Sequence, residues 1–402
     1  MNIWPQKTKT HNDFLKDLSK NSSSIPLPSA IISEEIFEEN LDFCCEHANK
    51  FNKKIRIASK SIRIPLLLEK ALQRPEVIGI MSYDPWETLK LVENGFQNIL
   101  LAYPLHSQKA MEAIIQCYEK GVKVIVMIDD PEGMRAYQKW WTLEESLHIC
   151  FDIDISIRKK ILNHTIHLGV RRSPAHALIG FKNLLKELKK YKKLELKGVM
   201  TYDAHIAGLT DFNKNQKTKS LALGLFKIYA KKHAKEIRDL IKNESPCRND
   251  NFIHNGGGTG SLIQSLKDTS INEITIGSGL LQPHLFDRYR HRWGKPAVFC
   301  GVTATRTPSS GIITCQGGGY TASGAIGEDR TPVVAYPCHL RPLKQEGFGE
   351  VQTPLFDKNN SVKKGESILL RPAKSGEFLQ SSPRIYLFSK EKIFKKTTCL
   401  LF

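Results

Sequence analysis

Eight short apolar runs between residues 54 and 279 constrain this chain more than any other feature. They are KIRIAS (54–59), VIGIMS (77–82), NILLAYP (98–104), KVIVMIDD (123–130), LHICFDIDI (147–155), LKGVMTYD (196–203), NFIHNGG (251–257) and EITIGSG (273–279). Runs that stay apolar without alternating suit strands buried on both faces. Amphipathic segments lie between most of them. PWETLKLVENG (85–95) and SQKAMEAIIQCYEKG (107–121) end in Gly95 and Gly121, each placed as a helix C-cap. A further helix precedes the first strand, with Ser33 as its cap, Glu34 and Glu35 in its first turn, and Ile36 to Phe51 following. Strand alternating with helix is the α/β pattern. Eight such units over about 250 residues have the size of a (β/α)8 TIM barrel. A doubly wound open sheet uses the same units; the regular spacing of the first four strands favours the barrel.

Beyond residue 285 the pattern changes. VFCGVTATR (298–306), GIITCQGGG (311–319), VVAYP (333–337), SILLRPA (367–373) and RIYLFS (384–389) read as strands separated by Gly- and Pro-rich turns. The expected organisation is a polar N-terminal segment (1–25), a barrel (26–285) and a C-terminal all-β domain (286–402). No run of 18 apolar residues suggests a membrane span, and the N-terminus lacks the apolar core of a secretory signal. Nine scattered cysteines without a CxxC argue against a disulfide framework or a zinc ribbon and point to a reduced cytoplasm. The net charge is +18. Its lysines spread over helix faces, as in FKNLLKELKKYKKLELKG (181–198), where Leu184, Leu185, Leu188 and Tyr191 form an apolar stripe. No arginine-rich arm accompanies the charge, so attraction of an anionic small molecule is the expectation rather than nucleic-acid binding.

In a barrel the chemistry sits at the carboxyl ends of the strands. Lys60 follows strand one. Tyr202 and Asp203 end strand six, with His205 just beyond. Strand seven ends in Gly256, Gly257, Gly258 and Thr259, and strand eight in Gly277, Ser278 and Gly279. The stretch GGGTGSLIQSL offers bare backbone N–H groups, a hydroxyl and a helix start, which together suit a phosphate. The plain alternative is a tight turn. A lysine at a strand end can form a Schiff base once partly desolvated; otherwise it is a surface lysine. Phosphate cradle, barrel lysine and aromatic residue together suggest pyridoxal phosphate.

With these residues in view, the chain resembles the fold-type III pyridoxal-phosphate enzymes, the group of alanine racemase, D-threonine aldolase and D-serine dehydratase, and within it the amino acid deaminase/aldolase proteins. The segments that carry the resemblance are RIASKSIRI, NILLAYP, HLGVRRSP, GVMTYDAHIAG, NGGGTGSL, GSGLLQPHLFDRY and GEVQTPL. The resemblance implies Lys60 as the lysine that binds the cofactor and Tyr202 and His205 beside its ring. It implies Gly257, Gly258, Thr259, Gly277 and Ser278 around its phosphate, and a homodimer completing the site. Ordinary packing is the alternative for Tyr202 and His205.

The chain also departs from the group. Where the lyases of the group hold a divalent metal through a His-x-Asp or His-x-Cys pair, LRPAKSGEF (370–378) has Lys374 and Gly376. Lysine is a poor ligand at neutral pH. That leaves the metal open, with Glu350 and Glu377 as oxygen donors or Lys374 as a substitute charge. His167 stands where the group often has an arginine, followed by Arg171 and Arg172, which suit either a substrate carboxylate or the chain's own acids. The implied activity is a lyase acting on D-β-hydroxy amino acids by deamination or aldol cleavage. An amino acid racemase and a non-catalytic cofactor carrier are the alternatives.

Overall fold

The computed structural model describes residues 9–161, 164–211, 217–246, 252–325 and 327–400. Cys247 and Asn251 lie outside them; the eight described cysteines are all free. The chain divides into two compact units.

One unit runs from Cys44 to Lys60 and from Leu66 to Gly277. Its strands, here β1 (Lys54–Ala58), β2 (Val77–Ser82), β3 (Ile99–Pro104), β4 (Ile125–Ile128), β5 (Leu147–Asp152), β6 (Leu194–Thr201), β7 (Ile253–Gly256) and β8 (Glu273–Ile276), close into a barrel. Every neighbouring pair is parallel, and β8 returns to β1 through Ile274↔Ile55 and Ile276↔Ile57. This is the (β/α)8 arrangement read from the eight runs, not the open sheet. Asp84 and Ser107 cap the helices Pro85–Glu93 and Gln108–Glu119 with their side chains.

Leu100, Ala102, Met127, Cys150 and Met200, drawn from β3 to β6, form one buried cluster, with Met81 and Ile125 against it. Deeper in the barrel Arg56 forms a two-pronged ion pair with Glu273 (2.7 and 2.9 Å) and donates to the Asn98 carbonyl (2.7 Å). The fork geometry of arginine satisfies both acceptors from one buried position. Gly79 is required beside it, because a β-carbon there would come 2.9 Å from Arg56 Nη1 and overlap the Asn98 carbonyl oxygen.

The segment after β5 is not a plain loop. It forms an antiparallel hairpin of Ile157–Ile161 and His164–Leu168. The alternation that marks a strand is weak in ILNHTIHLG, and the pairing is local.

The other unit holds the segment up to Phe43, residues 61–65 and Ser278–Cys399. Its nine-stranded sheet has the path Arg341–Pro342, Gln352–Phe356, Ile312–Gln316, Val298–Ser309, Ser29–Ser33, Ile385–Phe388, Phe394–Thr397; Ser367–Arg371 and Val333–Tyr336 branch from Val298–Ser309. Ser29–Ser33 therefore belongs here, although the linear reading starts the barrel at residue 26. It pairs antiparallel with Val298–Ser309 and parallel with Ile385–Phe388. Burial explains the placement: all five of its residues are buried, and Ile31 packs with Leu15, Leu18, Phe299, Leu369 and Phe388. Ser33 caps the following helix, Glu34–Lys50, accepting from the Ile36 N–H at 3.3 Å. No described helix is long and apolar enough to cross a membrane.

Candidate active site

The closed order of the barrel makes β6, β7, β8 and β1 four consecutive neighbours. Thr201 pairs with Gly256, Gly256 with Ile274, and Ile276 with Ile57. The carboxyl ends of these four strands carry Tyr202 and His205, the glycine turn, Gly277, and Lys60. Lys60 lies in the short helix Ser59–Ile62 directly after β1, with an exposed side chain. The desolvation expected of it is thus not supplied by the barrel strands.

Tyr202 is half-buried. Burial first, then the Asp203 carboxylate, push its phenol up to about 12, with Arg172 acting in the opposite sense. It stays a hydroxyl through the neutral range. His205 sits in the turn Ala204–Ala207 and is 4% exposed. Burial holds its imidazole below the ordinary value, helped by Arg238 and His233 and opposed by Asp203 and Asp154. It is therefore neutral at pH 7, and its Nε2 has no hydrogen-bond partner among the described residues. An orphaned buried polar atom is costly unless something completes it.

In the glycine turn, Gly257 has φ +76°, and a β-carbon there would run into the Ser265 side chain. Gly258 is extended, and a β-carbon on it would lie 3.3 Å from Tyr202 Cε2 and 3.4 Å from Ala207 Cβ. The Gly258 N–H donates to Ser261 Oγ (3.2 Å), and the Ser261 N–H returns to the Gly258 carbonyl (3.0 Å). One of the amides expected to face a phosphate is thus engaged inside the turn. Thr259 opens the 3-10 turn Thr259–Ser261, and the helix Leu262–Lys267 follows.

The remaining candidates lie on other elements. His167 lies in the hairpin with Nε2 3.1 Å from the Val170 carbonyl oxygen. Arg171 is exposed. In the β-domain unit, Ser278 donates to Ser61 Oγ (2.9 Å). Lys374 donates to Ser323 Oγ (2.9 Å) and approaches Glu377 at 3.5 Å, while Glu377 accepts from the Ser323 N–H (2.7 Å). Lys374 and Glu377 line a cleft with Tyr320, Pro372 and Phe378. Glu350 is exposed. Among the described residues no three His, Cys, Asp or Glu side chains gather as a metal set.

Two further groups lie at the barrel mouth, of which the sequence reading missed Asp129. Arg172, left open between a substrate and the chain's own acids, goes to an acid: its Nε pairs with Asp152 at 2.6 Å and its Nη2 donates to the Ala102 carbonyl (3.0 Å). Its guanidinium lies 5.1 Å from the ring centre of Tyr103 and 5.9 Å from that of Tyr202. Asp129 follows β4, and its carboxyl is pushed up to about 7 by burial first, then by Asp152 and Asp130. The signal for Asp129 was present: IDD closes the fourth run just as YD closes the sixth.

No protein-family profile matches this sequence, and no curated protein matches it by sequence. Solved structures match over nearly the whole chain. D-threonine aldolase from Filomicrobium marinum is 16% identical, with a TM-score of 0.77, covering 94% of this chain and 97% of that one. D-threo-3-hydroxyaspartate dehydratase from Delftia sp. HT23 is 14% identical, with a TM-score of 0.68 over 94% and 99%. Alanine racemase of Clostridium difficile 630 in complex with cycloserine is 14% identical, with a TM-score of 0.64 over 94% and 100%. At these identities the likeness is one of fold: an eight-stranded parallel barrel with a C-terminal β domain, as in alanine racemase.

Proposed function

We propose that this chain is a pyridoxal 5′-phosphate-dependent lyase acting on D-configured β-hydroxy amino acids such as D-serine or D-threonine. One observation carries the reading: a lysine, a glycine turn and a Tyr/His pair occupy four contiguous strand ends at one mouth of the barrel. The names of two structural neighbours, an aldolase and a dehydratase of D-amino acids, support the substrate class.

The residues fit the cofactor. Lys60 would hold it covalently, and the turn Gly257–Thr259 with Gly277 would take its phosphate. His205 would offer the ring a neutral, buried Nε2 that has no hydrogen-bond partner among the described residues. Tyr202 offers a hydroxyl that stays protonated. When bound, the cofactor supplies an electron sink for the pair left at the substrate α-carbon. Lys60 is the group placed to take up the α-proton. Arg172, neutralised by Asp152, keeps a flat cation against Tyr202 and orients that ring.

A divalent metal does not fit the stretch 370–378. Lys374 is an ammonium, and the Glu377 carboxylate is engaged by the N–H and hydroxyl of Ser323. No step is assigned to a metal. The same donor set favours an amino acid racemase as the second reading, because that reaction needs no metal at a β-oxygen. We further propose a homodimer working in the cytoplasm, a reducing setting that suits nine scattered cysteines without a CxxC.

The test is product identity after incubation with the cofactor and D-serine, D-threonine or D-alanine. Pyruvate, 2-oxobutanoate, or glycine with acetaldehyde supports the lyase; the L-isomer alone selects the racemase. Lys60→Ala should lose the borohydride-reducible adduct with pyridoxal phosphate. An adduct retained by that variant removes Lys60 from its role.

A further inference from the structure

Arg238 is a buried, multiply bonded cation beside the candidate site, and neither the sequence reading nor the proposed chemistry uses it. It lies on the long helix Lys217–Glu244 and is 4% exposed. Its Nε donates to Thr201 Oγ1 (2.9 Å) and its Nη2 to the Thr201 carbonyl (2.7 Å). Nη2 also lies 3.6 Å from the Asp203 carboxylate. Nη1 donates to Asp268 Oδ2 at 3.0 Å, at the C-terminal cap of the helix that follows the glycine turn. One side chain therefore ties the end of β6 to the far end of the helix that β7 feeds.

The ties continue inward. Asp203 Oδ1 faces Ser261 Oγ at 3.4 Å, Ser261 Oγ accepts the Gly258 N–H at 3.2 Å, and Ser265 Oγ donates to Ser261 Oγ at 3.2 Å. Ser265 is the side chain that leaves Gly257 no room for a β-carbon. Gly256 makes room in turn for the guanidinium: a β-carbon there would come 2.9 Å from Arg238 Nη2.

We propose that Arg238 is a positioning residue for both halves of the candidate cofactor site, locking Tyr202 and His205 after β6 in register with the glycine turn after β7. The proposal rests on the cofactor reading above. Its geometry uses the fork of arginine: three acceptors lie in different directions around one planar group, which a lysine ammonium on the same stem does not span. Arg238 also contributes a positive charge beside His205. The charged and titratable groups facing that imidazole are Asp203, Asp154, His233 and Arg238 itself. Removing the arginine leaves two carboxylates against one histidine, so the imidazole must titrate higher.

The experiment uses the full chain and two readouts. The first is the titration of His205 followed by NMR on cofactor-free protein with labelled histidine. The second is affinity for pyridoxal 5′-phosphate by absorbance. Arg238→Met should raise the His205 titration and weaken cofactor affinity about tenfold or more. Arg238→Lys keeps the charge and loses the fork, so it should weaken affinity while moving His205 much less. Asp268→Asn touches neither Tyr202 nor His205, yet should weaken affinity several-fold through the loosened guanidinium. Circular dichroism reports folding. Unchanged affinity in folded Arg238→Lys and Asp268→Asn overturns the proposal, even if Arg238→Met does not fold. Absence of cofactor binding by the unmodified chain instead overturns the functional reading, and the His205 titration then decides on Arg238 alone.

Discussion

Gly258 and Asp129 show two different kinds of constraint on a single residue. Gly258 is extended, so its backbone would accept any side chain; what forbids one is Tyr202 at 3.3 Å and Ala207 at 3.4 Å from the β-carbon position. Gly258→Val should push Tyr202 off its place and weaken pyridoxal phosphate affinity by about tenfold or more, a loss of about 1.4 kcal/mol. The strand before the turn is untouched, so the circular dichroism spectrum should stay that of the parent. A folded variant with full affinity would reduce the glycines to a turn. Asp129 is constrained electrostatically. Its carboxyl titrates near 7 in the folded chain, against about 3.9 in an unfolded one. Between those values the folded state holds the extra proton, so stability falls as pH rises from about 4 to about 7 and then levels off. Asp129→Asn should flatten that slope and leave the protein more stable than its parent at pH 8. Urea denaturation at pH 5 and pH 8 measures both; equal slopes in the two proteins would refute the assignment.

Among the elements, the eight barrel strands were legible because a strand buried on both faces must be apolar throughout, and helix caps punctuate the intervals. Lys60, Tyr202, His205 and the glycine turn were legible for the same reason: strand ends locate them. What stayed hidden depends on long-range pairing. Ser29–Ser33 is a five-residue run whose partners lie beyond residue 297, and nothing local distinguishes it from a first barrel strand. The paired strands Ile157–Ile161 and His164–Leu168 and the strand Gln352–Phe356 carry polar or proline residues that dilute the pattern. Arg238 was hidden because its helix position gives no hint of Thr201, Asp203 and Asp268. The hidden strand is also an energetic keystone. Ile31 is fully buried among Leu15, Leu18, Phe299, Leu369 and Phe388. Ile31→Ala should cost about 2–5 kcal/mol by chemical denaturation; a loss well under 1 kcal/mol would mean that this cluster is not the core of its unit.

For the molecule as a whole, the excess of positive charge is the property most open to misreading. The charge of +18 comes without a nucleic-acid motif, and many lysines pair locally, as Lys190 with Glu187 and Lys235 with Asp239. Fields from exposed charges are screened beyond about 8 Å at physiological ionic strength. Association with duplex DNA should therefore be confined to low salt and vanish by about 0.2 M, without sequence preference. Sequence-selective binding that survives that salt, measured by fluorescence anisotropy, would contradict this.

The placement of Ser29–Ser33 also bears on the order of biogenesis. A ribosome releases this strand long before its two neighbours, Val298–Ser309 and Ile385–Phe388. The barrel can close in the interval, since domains generally fold as units and N-terminal ones first. Throughout that time an apolar strand waits with both edges unpaired, which is the condition that invites pairing with another nascent chain. Ser29–Ser33 can thus take its final place only after Val298–Ser309 and Ile385–Phe388 have been made, and until then its shelter must come from elsewhere.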